Sequence, residues 1–167
     1  MHNPGAAGFW LSPQQKRIWT LQQEGSAYRS VCLALIEDAL PVEKLERALR
    51  RLVARHEILR TAYVRQPGMK FPFQVVLESA EPSLDMVDLS GLPDSKQKEQ
   101  FEELFRNEQV RSVGPESEPV LVAKLATCGS NHCALILSLP AMTADARSLQ
   151  VLVREIGQFA SGTAADT

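Results

Sequence analysis

Apolar residues recur every three or four positions in long stretches of the chain, a spacing that places them on one face of a helix. The pattern predicts a helix over residues 41–59 and a last helix that begins near Asp145 or Arg147. A third helix, over residues 96–111, is heavily charged, and we expect its charges to face solvent. The apolar positions of the first helix are Leu45, Leu49, Leu52, Val53 and Leu59, those of the last are Leu149, Leu152, Val153, Ile156 and Phe159, and the stripe of the charged helix is Phe101, Leu104, Phe105 and Glu108.

Shorter segments rich in β-branched and aromatic residues predict strands over residues 28–37, 60–64, 71–77, 120–126 and 133–139. The first is apolar on both alternating faces, which is typical of a strand buried on both sides. A turn at Gln66-Pro67-Gly68 should join the second and third, and the last two predict a β-hairpin. Residues 83–93 predict a loop. Together with a helix that begins after Ser12, described below, this makes four helices and about five strands in mixed order. They predict an α+β fold, with helices packed on a mixed, largely antiparallel sheet.

The length of 167 residues fits one domain, which we place at residues 11–160, between a flexible leader (1–10) and a tail or linker (161–167). A formal net charge of −2 gives no long-range field that would attract a phosphate backbone or an anionic lipid surface. No stretch approaches the roughly 20 apolar residues of a membrane span, and the first ten residues lack the pattern of a signal peptide. We therefore expect a cytoplasmic protein without nucleic-acid or membrane partners.

The three cysteines, Cys32, Cys128 and Cys133, are too few for a disulfide framework and indicate buried free thiols in a reducing compartment. Two of them lie close to His132, but the group supplies at most three ligands and contains no CxxC pair. The sequence therefore predicts no metal site.

A more specific signal lies in residues 12–21, which begin with a helix-start pattern. Ser12 is the predicted N-cap, Pro13 the first helical residue, and Gln15 the second half of a capping box. This segment, which also contains Arg17 and Trp19, resembles the SxAQxR(L/M)(W/Y)xL motif of condensation domains in nonribosomal peptide synthetases. The residues of a second segment, 55–63, resemble the RHExLRTxF motif of that family through Arg55, His56, Glu57, Arg60 and Thr61.

A third segment, residues 137–149, lies where the family carries HHxxxDG, between a strand and a helix. Pro140 and Ala141 stand at the places of the two histidines, Ala146 stands at that of the glycine, and Asp145 is retained. The second histidine is the natural general base or orienting group for an amine that attacks a thioester. The resemblance therefore implies a degenerate active site, and we assign no catalytic residue in this chain.

The resemblance spans nearly the whole chain, but it implies only the N-terminal lobe of a two-lobed fold similar to chloramphenicol acetyltransferase. In the family, donor and acceptor thioesters bound to carrier proteins enter a tunnel between the two lobes. The resemblance thus implies as partners a carrier protein, neighbouring synthetase domains and the missing C-terminal lobe. It implies no cofactor in this chain and phosphopantetheine on the carrier proteins. A lone lobe should expose apolar surface, so self-association is expected as well.

For the charged motif residues Arg17, Arg55, Glu57, Arg60 and Asp145 we favour a structural role as buried or half-buried pairs that hold helix to sheet. The resemblance implies that Asp145 pairs with Arg60. His56 falls on the apolar face of the helix over residues 41–59, so we expect a satisfied core histidine and not a replacement base. Without an adjacent base, Thr143 and Ser148 are expected to cap the following helix.

These observations predict a structural, non-catalytic subdomain of nonribosomal peptide or hybrid biosynthesis that contacts a carrier protein or an adjacent domain. The alternative is an acyl-transferring enzyme that works by positioning two tethered thioesters once a second lobe completes it. An unrelated α+β binding module is a third interpretation, which requires the motif matches to be chance. Pro140 removes a backbone N–H along with an imidazole, which favours lost or altered chemistry.

Overall fold

The computed structural model describes residues 8–23, 28–36, 40–111, 120–128 and 132–163. Within them, four α-helices and a 3-10 turn pack on two β-sheets, which confirms the predicted α+β class. The helices are α1 (Pro13–Gln23), α2 (Val42–Arg55), α3 (Asp94–Gln109) and α4 (Ala146–Ser161), and the 3-10 turn is Glu57–Arg60. The strands are β1 (Gly8–Trp10), β2 (Arg29–Ile36), β3 (Thr61–Val64), β4 (Phe73–Val76), β5 (Ser83–Asp88), β6 (Val122–Cys128) and β7 (His132–Pro140).

The larger sheet has four strands in the order β2-β7-β6-β5. β7 runs antiparallel to both β2 and β6, whereas β5 is parallel to β6. The smaller sheet is antiparallel, in the order β1-β4-β3. Both predicted strand pairs, β3 with β4 and β6 with β7, are confirmed. Gly68 takes a left-handed backbone conformation (φ 84°) in the connection between β3 and β4. The turn between β6 and β7, residues 129–131, lies outside the described residues.

Two strands lie where the sequence predicts none. β5 occupies part of the predicted loop 83–93, and β1 lies within the predicted leader 1–10. Asp85 and Asp88 give β5 a low intrinsic strand propensity, but the ladder that it forms with β6 overrides that preference. β1 pairs with β4 through only three residues, all of them exposed, so no buried pattern marks it in the sequence.

The apolar core lies between the larger sheet and the helices α2 and α4. Alternate residues of β6 and β7 face these helices, as expected for strands. Its buried members include Leu45, Leu49, Leu52, Leu125, Leu135, Leu137, Leu139, Leu149 and Ile156. Each fully buried leucine stabilises the fold by about 1.5–3 kcal/mol relative to an exposed one. Of the helices described, none combines the length and the apolar content that crossing a bilayer requires.

β2 is an edge strand, and the prediction that it is buried on both sides is wrong. Cys32 and Ile36 pack on the core, whereas Leu33 is 39% and Leu35 75% exposed on the opposite face. Of the helices described, α3 lies against this face, where it contacts β2 and β7. The apolar residues on the two faces of β2 therefore lie in different environments: those of one face are in the core, and those of the other are partly exposed to solvent.

α2 ends at Arg55, four residues earlier than predicted. His56 has extended backbone (φ −104°, ψ 105°), and the tighter 3-10 turn follows. Thr61 Oγ1 donates to the carbonyl of Glu57 (2.8 Å), which helps the chain to turn directly from this segment into β3. The short distance between helix and strand favours the tighter turn over a continued α-helix.

α3 carries one buried charge, which corrects the expectation that all its charges face solvent. Glu108 is only 2% exposed, and its Oε1 lies 3.0 Å from Lys124 Nζ and 3.4 Å from Arg111 Nη1. Burial acts to raise the pKa of Glu108, but the hydrogen bond and charge of Lys124, the charge of Arg111 and a hydrogen bond from Ser138 outweigh it and lower the pKa. This ionised cluster joins α3 to the middle of the sheet.

Removing the Glu108 carboxylate should destabilise the fold strongly. We expect Glu108→Ala to lower the free energy of unfolding by about 3 kcal/mol, because Lys124 loses its nearest acidic partner while its side chain stays only 20% exposed. Urea denaturation at neutral pH measures the loss. Glu99→Ala is the control on the same helix, since Glu99 is exposed, its salt bridge is with exposed Lys96, and its removal should change little. Equal losses for the two variants would contradict the buried role of Glu108.

The same cluster predicts a pH dependence. The folded-state pKa of Glu108 is lower than the ordinary value of 4.5, so its stabilisation is complete above that value and disappears as the pH falls through the lower folded-state pKa. Below about pH 4.5 the unfolding free energy of the wild type should therefore fall more steeply than that of Glu108→Gln. Parallel curves for the two proteins would show that this carboxylate is not coupled to folding.

Candidate functional site

The third motif forms a fixed connection between β7 and α4. Ala141 lies at the junction of strand and helix, as predicted, and its N–H donates to the carbonyl of Tyr28 (2.9 Å). The N–H of Thr143 donates to the carbonyl of Pro140 (2.8 Å), and Ser30 Oγ donates to the carbonyl of Ala144 (2.6 Å). We call residues 140–145 the motif loop. Its backbone groups are paired with neighbours from both sides, which holds it in one conformation.

The carbonyl of Met142 is the main anchor of the motif loop. It accepts hydrogen bonds from Gln15 Nε2 (3.1 Å) and from the Tyr63 hydroxyl (3.2 Å). The Met142 side chain is buried in a small cluster with Leu11, Trp19 and Tyr63. Burial raises the pKa of Tyr63 in spite of hydrogen bonds with Thr143 and Gln15, so the phenol stays a neutral donor. The three motifs, distant in sequence, therefore meet at this one residue.

The start of α1 follows the predicted capping box. The N–H of Ser12 donates to Gln15 Oε1 (2.9 Å), and the N–H of Gln15 donates to Ser12 Oγ (3.2 Å). The Gln15 amide also donates to Gln74 Oε1 (2.9 Å) on β4. One side chain thus caps α1 and ties it both to the smaller sheet and to the motif loop, and Trp19, 5% exposed, adds apolar contact.

Asp145 does not pair with Arg60, so that implied ion pair is wrong for this structure. Asp145 is exposed and caps α4, where its Oδ1 accepts from the N–H and the hydroxyl of Ser148 (both 2.8 Å). These hydrogen bonds, the backbone one first, lower the pKa of Asp145. Arg60 instead donates to the carbonyl of Leu77 and lies 3.3 Å from Glu57 Oε1. The cap turns the carboxylate toward its own helix, and the guanidinium is occupied elsewhere.

The other predicted structural residues have separate roles. Arg17 is exposed on α1, which corrects its expected place in a buried pair, and Thr61 is buried. Thr143 is no cap, since its hydroxyl lies 3.4 Å from that of Tyr63. Ser148 does take part in capping, as the donor to Asp145.

His56 is satisfied but only half-buried, at the end of α2 and not within its apolar face. Its Nε2 lies 2.6 Å from Glu155 Oε2 on α4, and Arg55 Nε lies 3.9 Å from Glu155 Oε1. Glu155 therefore joins the second motif to α4. The position of Glu155 in the sequence does not predict this contact. His2 and the side chain of His132 lie outside the described residues.

Tyr63 is a site residue that the sequence could have revealed. It stands at the last position of the second motif, where the family pattern has Phe, and a buried tyrosine hydroxyl usually requires a hydrogen-bond partner. The extra oxygen is what reaches Met142. The sequence contains no comparable signal for Gln74, because its contact with Gln15 depends on how β4 pairs within the smaller sheet.

The chemistry available beside the motif loop is limited. A shallow cavity of about 330 Å³ is lined by residues of α1 and of the motif loop, and Asp145 is the one ionisable group among its described lining residues. With a lowered pKa and two hydrogen bonds already accepted, that carboxylate is a weak proton acceptor. Burial raises the pKa of all three cysteine thiols, so they are protonated and poorly nucleophilic at neutral pH. Among the described residues, no three His, Cys, Asp or Glu side chains cluster closely enough for a metal ion.

The shared acceptor at Met142 predicts a coupled loss of stability. Gln15→Ala and Tyr63→Phe should each leave one donor on the carbonyl, whereas the double variant leaves it buried and unpaired. We expect the double variant to lose about 1 kcal/mol more than the sum of the single losses. Denaturant unfolding of the four proteins measures this coupling. Gln97→Ala, which removes a hydrogen bond to the carbonyl of Leu92, is the control and should add independently to Tyr63→Phe. Strict additivity of Gln15→Ala with Tyr63→Phe would contradict the shared anchor.

Comparison with known proteins places this geometry in a family. Residues 8–164 match the family model of the condensation domain. Cyclosporin synthetase of Tolypocladium inflatum is 33% identical over 168 residues, which cover 96% of this chain and 1% of that protein. The starter condensation domain of the rhizomide synthetase RzmA has a TM-score of 0.82 at 16% identity, covering 94% of this chain and 38% of that chain. SgcC5 from Streptomyces globisporus has a TM-score of 0.74 at 26% identity, covering 83% and 31%.

The chain therefore spans only a small part of the curated synthetase that it matches, and about a third of the two solved structures. Its helices and mixed sheets match one lobe of the fold that condensation domains share with chloramphenicol acetyltransferase. With the family match over almost its whole length and the three motifs joined at Met142, the chain belongs to the condensation-domain family of nonribosomal peptide synthetases.

Proposed function

We propose that this chain is the N-terminal lobe of a condensation-like domain, that its motif loop is non-catalytic, and that it serves contacts with a carrier protein or a neighbouring synthetase domain. The acyl groups handled by the parent assembly would be held on the phosphopantetheine arms of carrier proteins. The observation that carries the proposal is the contrast within the motif loop. Its supports, Gln15 and Tyr63, are in place, while Ala141 offers a methyl group where the family has an imidazole.

Amide formation requires the acceptor amine to lose a proton as it attacks the thioester carbonyl. Neither Pro140 nor Ala141 can accept one, and Asp145 is committed to the N-terminus of α4. His56 is held by Glu155 at the end of α2, away from the residues that line the cavity. His132 begins β7, about 26 Å of extended strand before Pro140. These placements support the proposal that the motif loop has kept its conformation and has lost its general base.

The lone chain should therefore form no amide or ester between carrier-bound acyl groups. The test incubates it with two carrier proteins, one loaded with an acyl donor and one with an aminoacyl acceptor, and detects product on the carrier by intact mass. We expect the level of a no-protein control. A two-lobed condensation domain with its own loaded carriers confirms that the assay detects product. Product from the unmodified lone chain above the control would overturn the proposal in favour of catalysis by positioning alone.

The lone chain lacks both the two imidazoles and the second lobe. Restoring the imidazoles separates these two reasons for inactivity. Pro140→His with Ala141→His should not rescue the lone chain, because the second lobe that would position both thioesters is still missing. In a two-lobed parent the same pair of substitutions can raise the rate, since general acid–base groups contribute roughly 10²–10⁴. Rescue of the lone chain would show that positioning is already complete in one lobe.

An open apolar surface supports the interdomain part of the proposal. Leu33 on β2 and Phe101 and Phe105 on α3 line a groove of about 450 Å³, and Leu35 next to it is 75% exposed. The two matched solved chains are about three times as long as the part that this chain covers. We propose that the remainder of the condensation domain covers this surface in the parent protein. An isolated lobe leaves it exposed to water.

Self-association of the lone chain should consequently depend on this surface. Light scattering over a wide concentration range should show an average mass that rises with concentration for the wild type and rises less for Leu35→Glu. Leu77→Glu is the control, because Leu77 is an exposed leucine (41%) that lies on neither β2 nor α3. A wild type that stays monomeric throughout would count against an uncovered lobe interface, and an equal effect of the control would count against this location.

A further inference from the structure

A cationic groove lies between α2 and the end of α4, outside the motif loop and its supports. Lys44, Arg47 and Arg51 form one wall, and residues 159–162 form the other. The three cations are spaced three and four residues apart, so they project from one side of α2. The cavity measures about 390 Å³, and none of its described lining residues is acidic.

We propose that this groove binds an acidic peptide segment of a partner protein, with carboxylates on Lys44 and Arg47 and an apolar side chain on the groove floor. This inference does not depend on the proposed function, because it uses neither the motif loop nor the surface between β2 and α3.

The charges on α2 are arranged for an external anion. Lys44 and Arg47 are exposed, and neither forms a salt bridge with a residue that the structure describes. Arg50, on the next side of the helix, is by contrast engaged by Glu46 and Glu81 (3.8 and 3.2 Å). Like charges three residues apart on a helix repel each other, so Lys44 and Arg47 do not stabilise one another.

The end of α4 does not require these cations as a cap. The N–H of Gly162 donates to the carbonyl of Phe159 (3.4 Å), and the N–H of Thr163 donates to that of Gln158 (3.1 Å). Gly162 takes the left-handed conformation (φ 74°) that closes the helix. The carbonyls of Gln158 and Phe159 are therefore paired within α4 and do not require Lys44 or Arg47.

The floor of the groove favours a peptide over a nucleic acid. Ala48, Ala160 and the half-buried Phe159 supply apolar surface between the charged walls, and the Arg51 guanidinium lies over the Phe159 ring, 4.4 Å from its centroid. Lys44 and Arg47 lie three residues apart, about 4.5 Å along the axis of α2, which matches carboxylates one helical turn apart. A net charge of −2 gives no wider field for a long phosphate backbone.

Fluorescence anisotropy with the full 167-residue chain tests the proposal. The probe is a fluorescein-labelled synthetic helical peptide with glutamates four residues apart and one leucine on the same face, and the matched peptide carries glutamine at those positions. We expect the glutamate peptide to bind, and Lys44→Glu with Arg47→Glu to weaken its binding by about tenfold. The exchange of Lys44→Arg with Arg47→Lys should retain binding. Arg65→Glu with Lys70→Glu changes the net charge equally outside the groove and should alter binding by less than about twofold.

Each remaining outcome would overturn the proposal. No binding of the glutamate peptide, equal binding of the glutamine peptide, or equal weakening by the control pair would show that the groove does not select an acidic segment. Equally strong displacement of the probe by a DNA oligonucleotide would show general polyanion binding. Thermal unfolding of every variant, followed by circular dichroism, separates lost binding from lost folding: a Lys44 and Arg47 variant that melts earlier but binds normally would assign these cations to stability alone.

Discussion

The carbonyl of Met142 is the constraint on which this lobe depends. It lies where β7 has ended and the chain must turn into α4, and the Met142 side chain packs in a buried apolar cluster. An unpaired carbonyl there would cost about 1–3 kcal/mol, so the fold requires donors from elsewhere in the chain. Gln15 and Tyr63 supply them, one from the start of α1 and one from β3. One hydrogen-bonding requirement thus brings the three motifs together in space.

In the function proposed above, this dependence explains how a catalytic motif can lose its catalytic groups and keep its shape. The imidazoles of the family motif are not among the groups that hold the loop here; backbone pairing, Met142 and the Asp145 cap hold it. Substitution by Pro140 and Ala141 therefore leaves the supports intact. Pro140 is compatible with its position because it ends an antiparallel strand, and its carbonyl still accepts from Thr143.

Local patterns were sufficient to predict the elements that depend on local physics. The helical spacing of Leu45 and Leu49, the capping box at Ser12, and the strand pairs β3–β4 and β6–β7 involve neighbours in sequence or runs of apolar residues. β5 was missed because its stability comes from pairing with β6, nearly forty residues later, and not from its own composition.

The same distinction between local and long-range features holds for the candidate site. Its segments were identified from the sequence, but its contacts were not, because they join residues far apart along the chain. Asp145 was assigned to Arg60 by resemblance, whereas the N-terminus of α4 offers a donor three residues away and leaves the carboxylate in water. Glu108 and Glu155 illustrate the opposite case, in which a charge of ordinary appearance has its partner on another element. Long-range partners of charged side chains cannot be deduced from a single sequence.

The charged side chains give the lobe two different grooves, one between α3 and β2 and one between α2 and α4. Beneath α3, Glu108 pairs with Lys124 and Arg111. The groove between α3 and β2 exposes the apolar side chains of Leu33, Phe101 and Phe105, with charged residues of α3 at its rim. On the other side of the sheet, α2 and α4 hold their core with leucines and leave Lys44 and Arg47 without a described partner at the surface. An apolar groove suits permanent cover, because exposing it to water is unfavourable, whereas an exposed cationic groove suits reversible contact that salt can weaken. The two surfaces therefore suit different kinds of partner within one assembly.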